Sequence, residues 1–231
     1  MQRELQQPFD SAPRLLGRSA RVFFARLPFL VSVTLAVFIP GKVVTQLVGV
    51  VLDIAPEGIA SYLLMDFSNL VLGALAIPAA IYGLTTGRPV IESLQRGRKQ
   101  WGRMFWNKFK VEMTVALWSL LLFVPGIVAM MKLALTDAVV ALDENEADPL
   151  ARSRELTAGV RWRVFFVMAP LMLIDLAGNI VVLISMPGVA HSRLLLGLAD
   201  SVLAVIGMWS TVAVLMMYLG RIVSPPQRTH G

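Results

Sequence analysis

One phrase recurs three times along this chain of 231 residues: an arginine, an aromatic pair beginning two positions later, an apolar stretch, then Pro-Gly. The copies open at Arg21-Val22-Phe23-Phe24, Arg103-Met104-Phe105-Trp106 and Arg163-Val164-Phe165-Phe166. They close at Pro40-Gly41, Pro125-Gly126 and Pro187-Gly188, with 19, 22 and 24 residues from arginine to proline. About 20 helical residues, rising 1.5 Å each, cross a hydrocarbon core of roughly 30 Å, so each interval has the length of one membrane crossing. Another apolar run follows every Pro-Gly, which makes the natural unit a helical hairpin. The expected fold is an all-α polytopic membrane helix bundle of three hairpin repeats, a single integral membrane domain over 1–231 with repeats over 8–86, 89–148 and 149–223.

The repeat reaches upstream of the arginines. Placing Pro89 over Pro149 without gaps aligns Ser93 with Ser153, Arg103 with Arg163 and Phe105 with Phe165. An ungapped match over 17 residues argues for duplication. The first copy is looser, because Pro8 lies 13 residues before Arg21 where the other two intervals are 14.

Composition agrees with a membrane solvent. Hydrophobic residues make up 56% and charged residues 16% of the chain, against roughly 25% charged in a soluble domain. Polar stretches of about 20 residues leave no room for a separate soluble domain. Cysteine is absent, which removes disulfides, thiolate metal sites and cysteine nucleophiles. The first 20 residues hold Arg3, Arg14 and Arg18 together with Glu4, Asp10 and two prolines, and no short apolar run ends in small residues. No cleaved signal peptide is expected, and the first span is expected to act as its own insertion signal.

Six spans are expected, at about 22–39, 59–85, 109–124, 127–142, 164–186 and 194–222. Residues 43–52 are apolar enough either to prolong the first span past Pro40 or to form a short helix on the outer surface. The third and fourth spans are short for a bilayer, and Lys108 and Lys110 can snorkel to lengthen the third. Of the 21 basic residues, 18 fall in the N-terminal segment, the 86–110 and 143–163 connectors and the tail, leaving Lys42 and Arg193 opposite and Lys132 inside a span. The positive-inside rule then puts both termini in the cytoplasm.

The cytoplasmic connectors read as amphipathic helices lying in the interface. Val90, Leu94, Gly97, Trp101 and Phe105 recur at a helical period, and Arg96, Lys99 and Arg103 form the neighbouring stripe. Arg14, Arg18 and Arg21 make a similar stripe near the start. These six residues are the candidate contacts for anionic lipid headgroups, each worth about 1 kcal/mol near a charged surface. The same stripes also serve as ordinary topology determinants. A nucleic-acid partner is not expected, because the basic residues flank spans rather than cover a soluble face. Asp148-Pro149 is a helix start, a capping side chain followed by a residue needing no partner at the first helical position.

Asp66, Lys132, Asp137, Asp175, Asn179 and Asp200 form the expected intramembrane polar cluster, with Glu112 near the start of the third span. Ionisable residues in spans face the bundle interior, a partner or a water-filled cavity. Lys132 and Asp175 are expected to pair near the midplane, either as a bond between hairpins or as the centre of a cavity of the kind that repeat-built transporters place there. Gly178, Gly197 and Gly207 are candidates for close helix packing. Only His191 and His230 are present as histidines, so no histidine metal cluster or Ser-His dyad is expected inside the membrane. Asp143, Glu144, Glu146 and Asp148 read as a solvated turn, lacking the glycine and terminal glutamate of a calcium loop. No catalytic residue, metal or cofactor is expected. The expected function is non-enzymatic binding of lipid or of a membrane protein partner, with small-solute or lipid transport as the alternative.

Pro125-Gly126-Ile127, Leu133, Asp137, Asp148-Pro149-Leu150, Arg152-Ser153, Glu155-Leu156-Thr157, Gly159 and Trp162-Arg163-Val164-Phe165 together make a pattern of about 40 residues. It resembles a broad group of uncharacterised bacterial six-helix membrane proteins, related to the membrane domain attached to some glycerophosphoryl diester phosphodiesterases. That resemblance implies a bacterial inner-membrane protein and a helical bundle. It implies no catalytic activity.

Overall fold

The computed structural model describes residues 11–54, 58–185 and 193–223, and within them the fold is all-α. In chain order the helices are α1 (Ala12–Ala25), α2 (Leu27–Val51), α3 (Ile59–Thr86), α4 (Val90–Leu121), α5 (Phe123–Leu133), α6 (Thr136–Leu142), α7 (Pro149–Thr157), α8 (Arg161–Ser185) and α9 (Arg193–Val223). Five stretches are long and apolar enough to cross a membrane: Leu27–Val51, Ile59–Thr86, Val124–Leu142, Arg161–Val181 and Gly197–Ile222. The chain therefore reads as a membrane protein. Pro187-Gly188, Pro8 and both histidines lie outside the described residues.

Local chemistry explains the breaks. Pro28 lacks an N–H and its ring would crowd the carbonyl of Phe24, so the backbone leaves the helix at Arg26 and α2 starts afresh. Pro40 does not stop α2, and residues 43–51 prolong the first span. Gly87 ends α3 in the left-handed region (φ 71°), donating its N–H to the Gly83 carbonyl at 2.9 Å. Asp148 caps α7 by accepting from the amides of Leu150 (3.1 Å) and Ala151 (3.0 Å). The helix start read at Asp148-Pro149 is thus present.

The helices pack antiparallel in sequence. Gly41 lies against Leu72 and Gly83 against Phe29, joining α2 to α3. Between α3 and α4, Trp101 donates its indole N–H to the Val71 carbonyl at 3.1 Å, and Phe105 meets Phe67 edge-on. Asp200 reaches Lys42, which sets α9 against α2. Gly178 packs on Leu203, where a Cβ would come within 2.6 Å, so α8 returns along α9.

Two expectations about α4 change. Residues 109–121 are not an independent span, since they continue the helix that starts at Val90. Nothing between Pro89 and Leu121 interrupts the hydrogen-bond ladder, because neither Gly97 nor Gly102 carries the penalty of a proline. Nor does the 90–108 connector lie flat in the interface; it packs along α3. Its buried stripe is Ser93, Gly97, Gln100, Met104 and Asn107, spaced by four, three, four and three residues. Small and polar side chains together with Met104 face the neighbour, and Ile91 and Trp106 face outward. At Gly97 a Cβ would stand 2.6 Å from the Leu75 carbonyl oxygen, so glycine is what permits this approach.

The ungapped alignment of 89–105 with 149–165 joins segments that fold differently. The first is one helix. The second breaks after Thr157, where Gly159 takes φ 76° at the position aligned with Lys99. A side chain disfavours that conformation and glycine does not.

Candidate functional site

Burial divides the bundle along its length. Toward the Gly87 end, Leu30, Ala76, Ala80, Ile81, Leu84, Leu215 and Met216 form a closed core. Leu135, Val139, Val164, Val167 and Met217 form a second core beside it. Toward the Val51 end the same helices present Val51, Ile59, Leu63, Leu120, Leu121 and Val202 outward. Between the two zones runs a layer of polar side chains.

That layer lines a cavity of about 640 Å³. Its walls carry Asp66 and Asn69 from α3, Lys108 and Glu112 from α4, Asp137 from α6, Asp175 and Asn179 from α8, and Asp200 and Thr211 from α9. Five of the six residues of the expected intramembrane cluster thus meet in one space. Lys132 is the exception and does not line it.

The expected Lys132–Asp175 ion pair is not formed among the described residues. Lys132 contributes its backbone instead. The chain breaks between α5 and α6 at Ala134–Leu135, leaving groups without helical partners. Ser153 of α7 answers both sides of the break, donating to the Lys132 carbonyl at 3.0 Å and accepting from the Leu135 amide at 3.2 Å. Thr157 adds a second donor to the Lys132 carbonyl at 3.2 Å. Both hydroxyl residues are fully buried, so this face of α7 packs into the bundle while Arg154 and Glu155 on the other stay exposed.

The buried pair is Lys42 with Asp200. Sequence position suggested Lys42 as a flanking residue; α2 continues past Pro40 and carries it inside, where it is 2% exposed. Its ammonium contacts the Asp200 carboxylate and donates to Asn69 Oδ1 at 2.6 Å. The charge is therefore both paired and hydrogen-bonded, as burial requires. One turn on, Thr45 and Ser68 share a hydrogen bond at 2.7 Å. Across the cavity Lys108 lies 3.6 Å from Glu112 and 4.0 Å from Asp137. Asp66 and Asp175 have no ion-pair partner among the described residues. In total five carboxylates line the space together with the ammonium group of Lys108, and Lys42 contacts one of them, Asp200.

An apolar groove adjoins this cavity. About 970 Å³ in volume, it runs between α4, α5, α8 and α9 past Val115, Ile127, Met130, Leu171, Ile174 and Ile206. Met168, Asp175, Asn179, Gly207 and Ser210 line both spaces. Gly207 has open space where a Cβ would stand, so it supplies room here rather than close helix contact. Gly197, by contrast, packs against Lys42 and Gln46.

The basic stripes divide by role. Arg103 donates to the carbonyls of Val140 (3.3 Å), Asp143 (2.9 Å) and Glu146 (2.7 Å), closing the end of α6. Arg221 does the same for α7, reaching Leu156 O at 2.8 Å and Ala158 O at 3.0 Å. Arg96 pairs with Glu144, which also accepts from Gln100 at 3.0 Å, so the 143–148 loop is tied to α4 and is not simply a solvated turn. Arg18 is buried, whereas Arg14, Arg21 and Lys99 are exposed. Among the described residues no group of His, Asp or Glu has the arrangement of a metal site.

Sequence reasoning missed Lys42, Lys108 and Thr211 as site residues. The signal for Lys42 was present: a run of apolar residues on both sides of it, from Leu27 to Val51, long enough to carry the lysine into the bundle.

Comparison with protein-family models, with curated proteins and with solved structures finds no match.

Proposed function

We propose that this chain is a non-enzymatic integral membrane protein that binds a lipid within the bilayer, its head in the polar cavity and its chain in the adjoining groove. The observation that carries this reading is the junction. A polar space and an apolar space share five lining residues, which is the shape of an amphiphile. The exposed apolar surface beside the groove favours entry from the membrane rather than from water. Lipid held there suits an accessory subunit that joins a membrane protein partner through the same outward face.

We further propose six crossings, with α4 as the third, in a bacterial inner membrane with both termini cytoplasmic. The one-sided basic residues support this orientation, and the resemblance to six-helix bacterial membrane proteins supports the bacterial inner membrane. Single cysteines at 95 and 146 in this cysteine-free chain should stay unlabelled by an impermeant thiol reagent applied to intact cells. Labelling at 95 would overturn the topology.

The lipid reading is tested by purifying the full chain in native-lipid particles and identifying what co-purifies. Gly207→Leu fills the junction without meeting another atom near its Cβ. It should strip a specific lipid species from the particles and leave the bulk lipid profile unchanged. An identical lipid profile in both proteins would remove the reading. Transport of a small solute or lipid is the second reading, favoured by the five carboxylates in one cavity; uptake into proteoliposomes of a labelled form of whatever co-purifies would favour it.

A further inference from the structure

We infer that the head of the bound amphiphile carries a positive charge, an ammonium group held by Asp66 and Asp175; this rests on the lipid-binding reading above. The charge balance of the cavity is the first argument. Lys42 is taken up by Asp200, and Lys108 stands between Glu112 and Asp137. Asp66 and Asp175 remain, from α3 and α8, each lining the cavity without a cation among the described residues. Both carboxylates are more than a third exposed on stretches apolar enough to cross a membrane, and ionisable groups at such positions call for a counter-charge or a polar cavity. An anionic head would add to the repulsion, and a neutral one would leave it unrelieved.

The second argument is independent of charge. Helical hydroxyls in this fold mostly donate to their own backbone: Ser32, Thr45, Thr85, Thr86, Thr114 and Ser201 all do so. Thr211 does not. It is 8% exposed, lines the cavity and has no hydrogen-bond partner among the described residues. A hydroxyl that opens only into the cavity takes its hydrogen bond from whatever occupies that space, and an ammonium has three donors to offer. Asn179 lines the same space from one turn beyond Asp175. Head and chain then divide at the shared residues, with the ammonium among Asp66, Asp175 and Thr211 and the alkyl chain past Met168 into the groove.

The test compares three probes of equal chain length, dodecylamine, dodecanol and dodecyl phosphate, added to the full-length protein in a maltoside detergent, with butylamine as a chainless amine. Dodecylamine should bind at least tenfold more tightly than the other two twelve-carbon probes. Asp66→Asn with Asp175→Asn should erase that preference and leave dodecanol binding unchanged, while Thr211→Val should weaken dodecylamine about threefold. Gly207→Leu should weaken dodecylamine and dodecanol alike. Equal binding of amine and alcohol, both lost in Gly207→Leu, would overturn the charge assignment and leave the groove standing. Butylamine as effective as dodecylamine would keep the ammonium site and overturn the lipid. Binding of dodecylamine and dodecanol untouched by any of these variants would overturn both.

Discussion

The two ends of the bundle use the same helices in opposite ways. Near Gly87 the interior is closed, and Leu84 is 1% exposed; near Val51 the side chains turn outward, and Leu120 is 86% exposed. The closed end is built from small residues and backbone-directed hydrogen bonds. Arg103, Arg221, Ser153 and Thr157 each bond carbonyls released by a helix end or break, and Gly97 admits α4 to α3. The open end has apolar side chains with few internal partners, and only 17% of the most apolar stretch of α8 is buried. Lipid solvates such surface as well as protein does, so nothing drives it to close. A polar cavity forms where one regime gives way to the other.

Breaking the buried pair at that boundary should have the largest effect. Lys42→Met leaves Asp200 without its cation and should cost roughly 3–5 kcal/mol, read as a lowered unfolding midpoint in detergent. Adding Asp200→Leu should restore part of the loss. Additive losses would show that the two residues do not depend on each other.

The next test sets one glycine against another. Gly97→Ala at the closed end forces a methyl toward the Leu75 carbonyl and should destabilise by about 1–3 kcal/mol. The same change at Gly207, facing the cavity, should stay within about 0.5 kcal/mol. Equal effects would deny the difference between the zones.

Ser153→Ala should cost about 1 kcal/mol, because the Leu135 amide loses its acceptor while Thr157 still serves the Lys132 carbonyl. Ser93→Ala should cost less. Ser93 only adds a bond to the Pro89 carbonyl, which already accepts from the Ser93 amide. Thermal unfolding of the two variants side by side decides this.

The smallest change is expected at Lys132→Met, within about 0.5 kcal/mol, since the lysine side chain has no ion-pair partner among the described residues. A large loss would reinstate a buried charge pair at that position. Leu120→Ala at the open end should be similarly quiet.

Much of the site was legible as a set and little of it as a geometry. Asp66, Asp137, Asp175, Asn179 and Asp200 stand out as polar residues within spans and do share a cavity, although depth along the spans puts Asp175 close to the midplane and Asp137 near the cytoplasmic side. Pairing was misread because depth alone cannot say which faces meet. Lys132 and Asp175 have similar depths and do not pair, while Lys42 was placed at a margin because Pro40 looked like an end. The amphipathic reading of 90–108 failed for a related reason. A search for the apolar face finds the buried side in water, but in this helix the buried side is Ser93, Gly97, Gln100, Met104 and Asn107.

Sequence alone determined the membrane solvent, the helical class and the start of α7, because these follow from local hydropathy, length and capping chemistry. The packing of α4 along α3, the use of Ser153 to heal the break in α5–α6 and the choice of Lys42 for Asp200 were decided by tertiary structure. Each depends on which face of one helix meets another, and inside a bilayer apolarity does not distinguish the face that packs from the face that meets lipid.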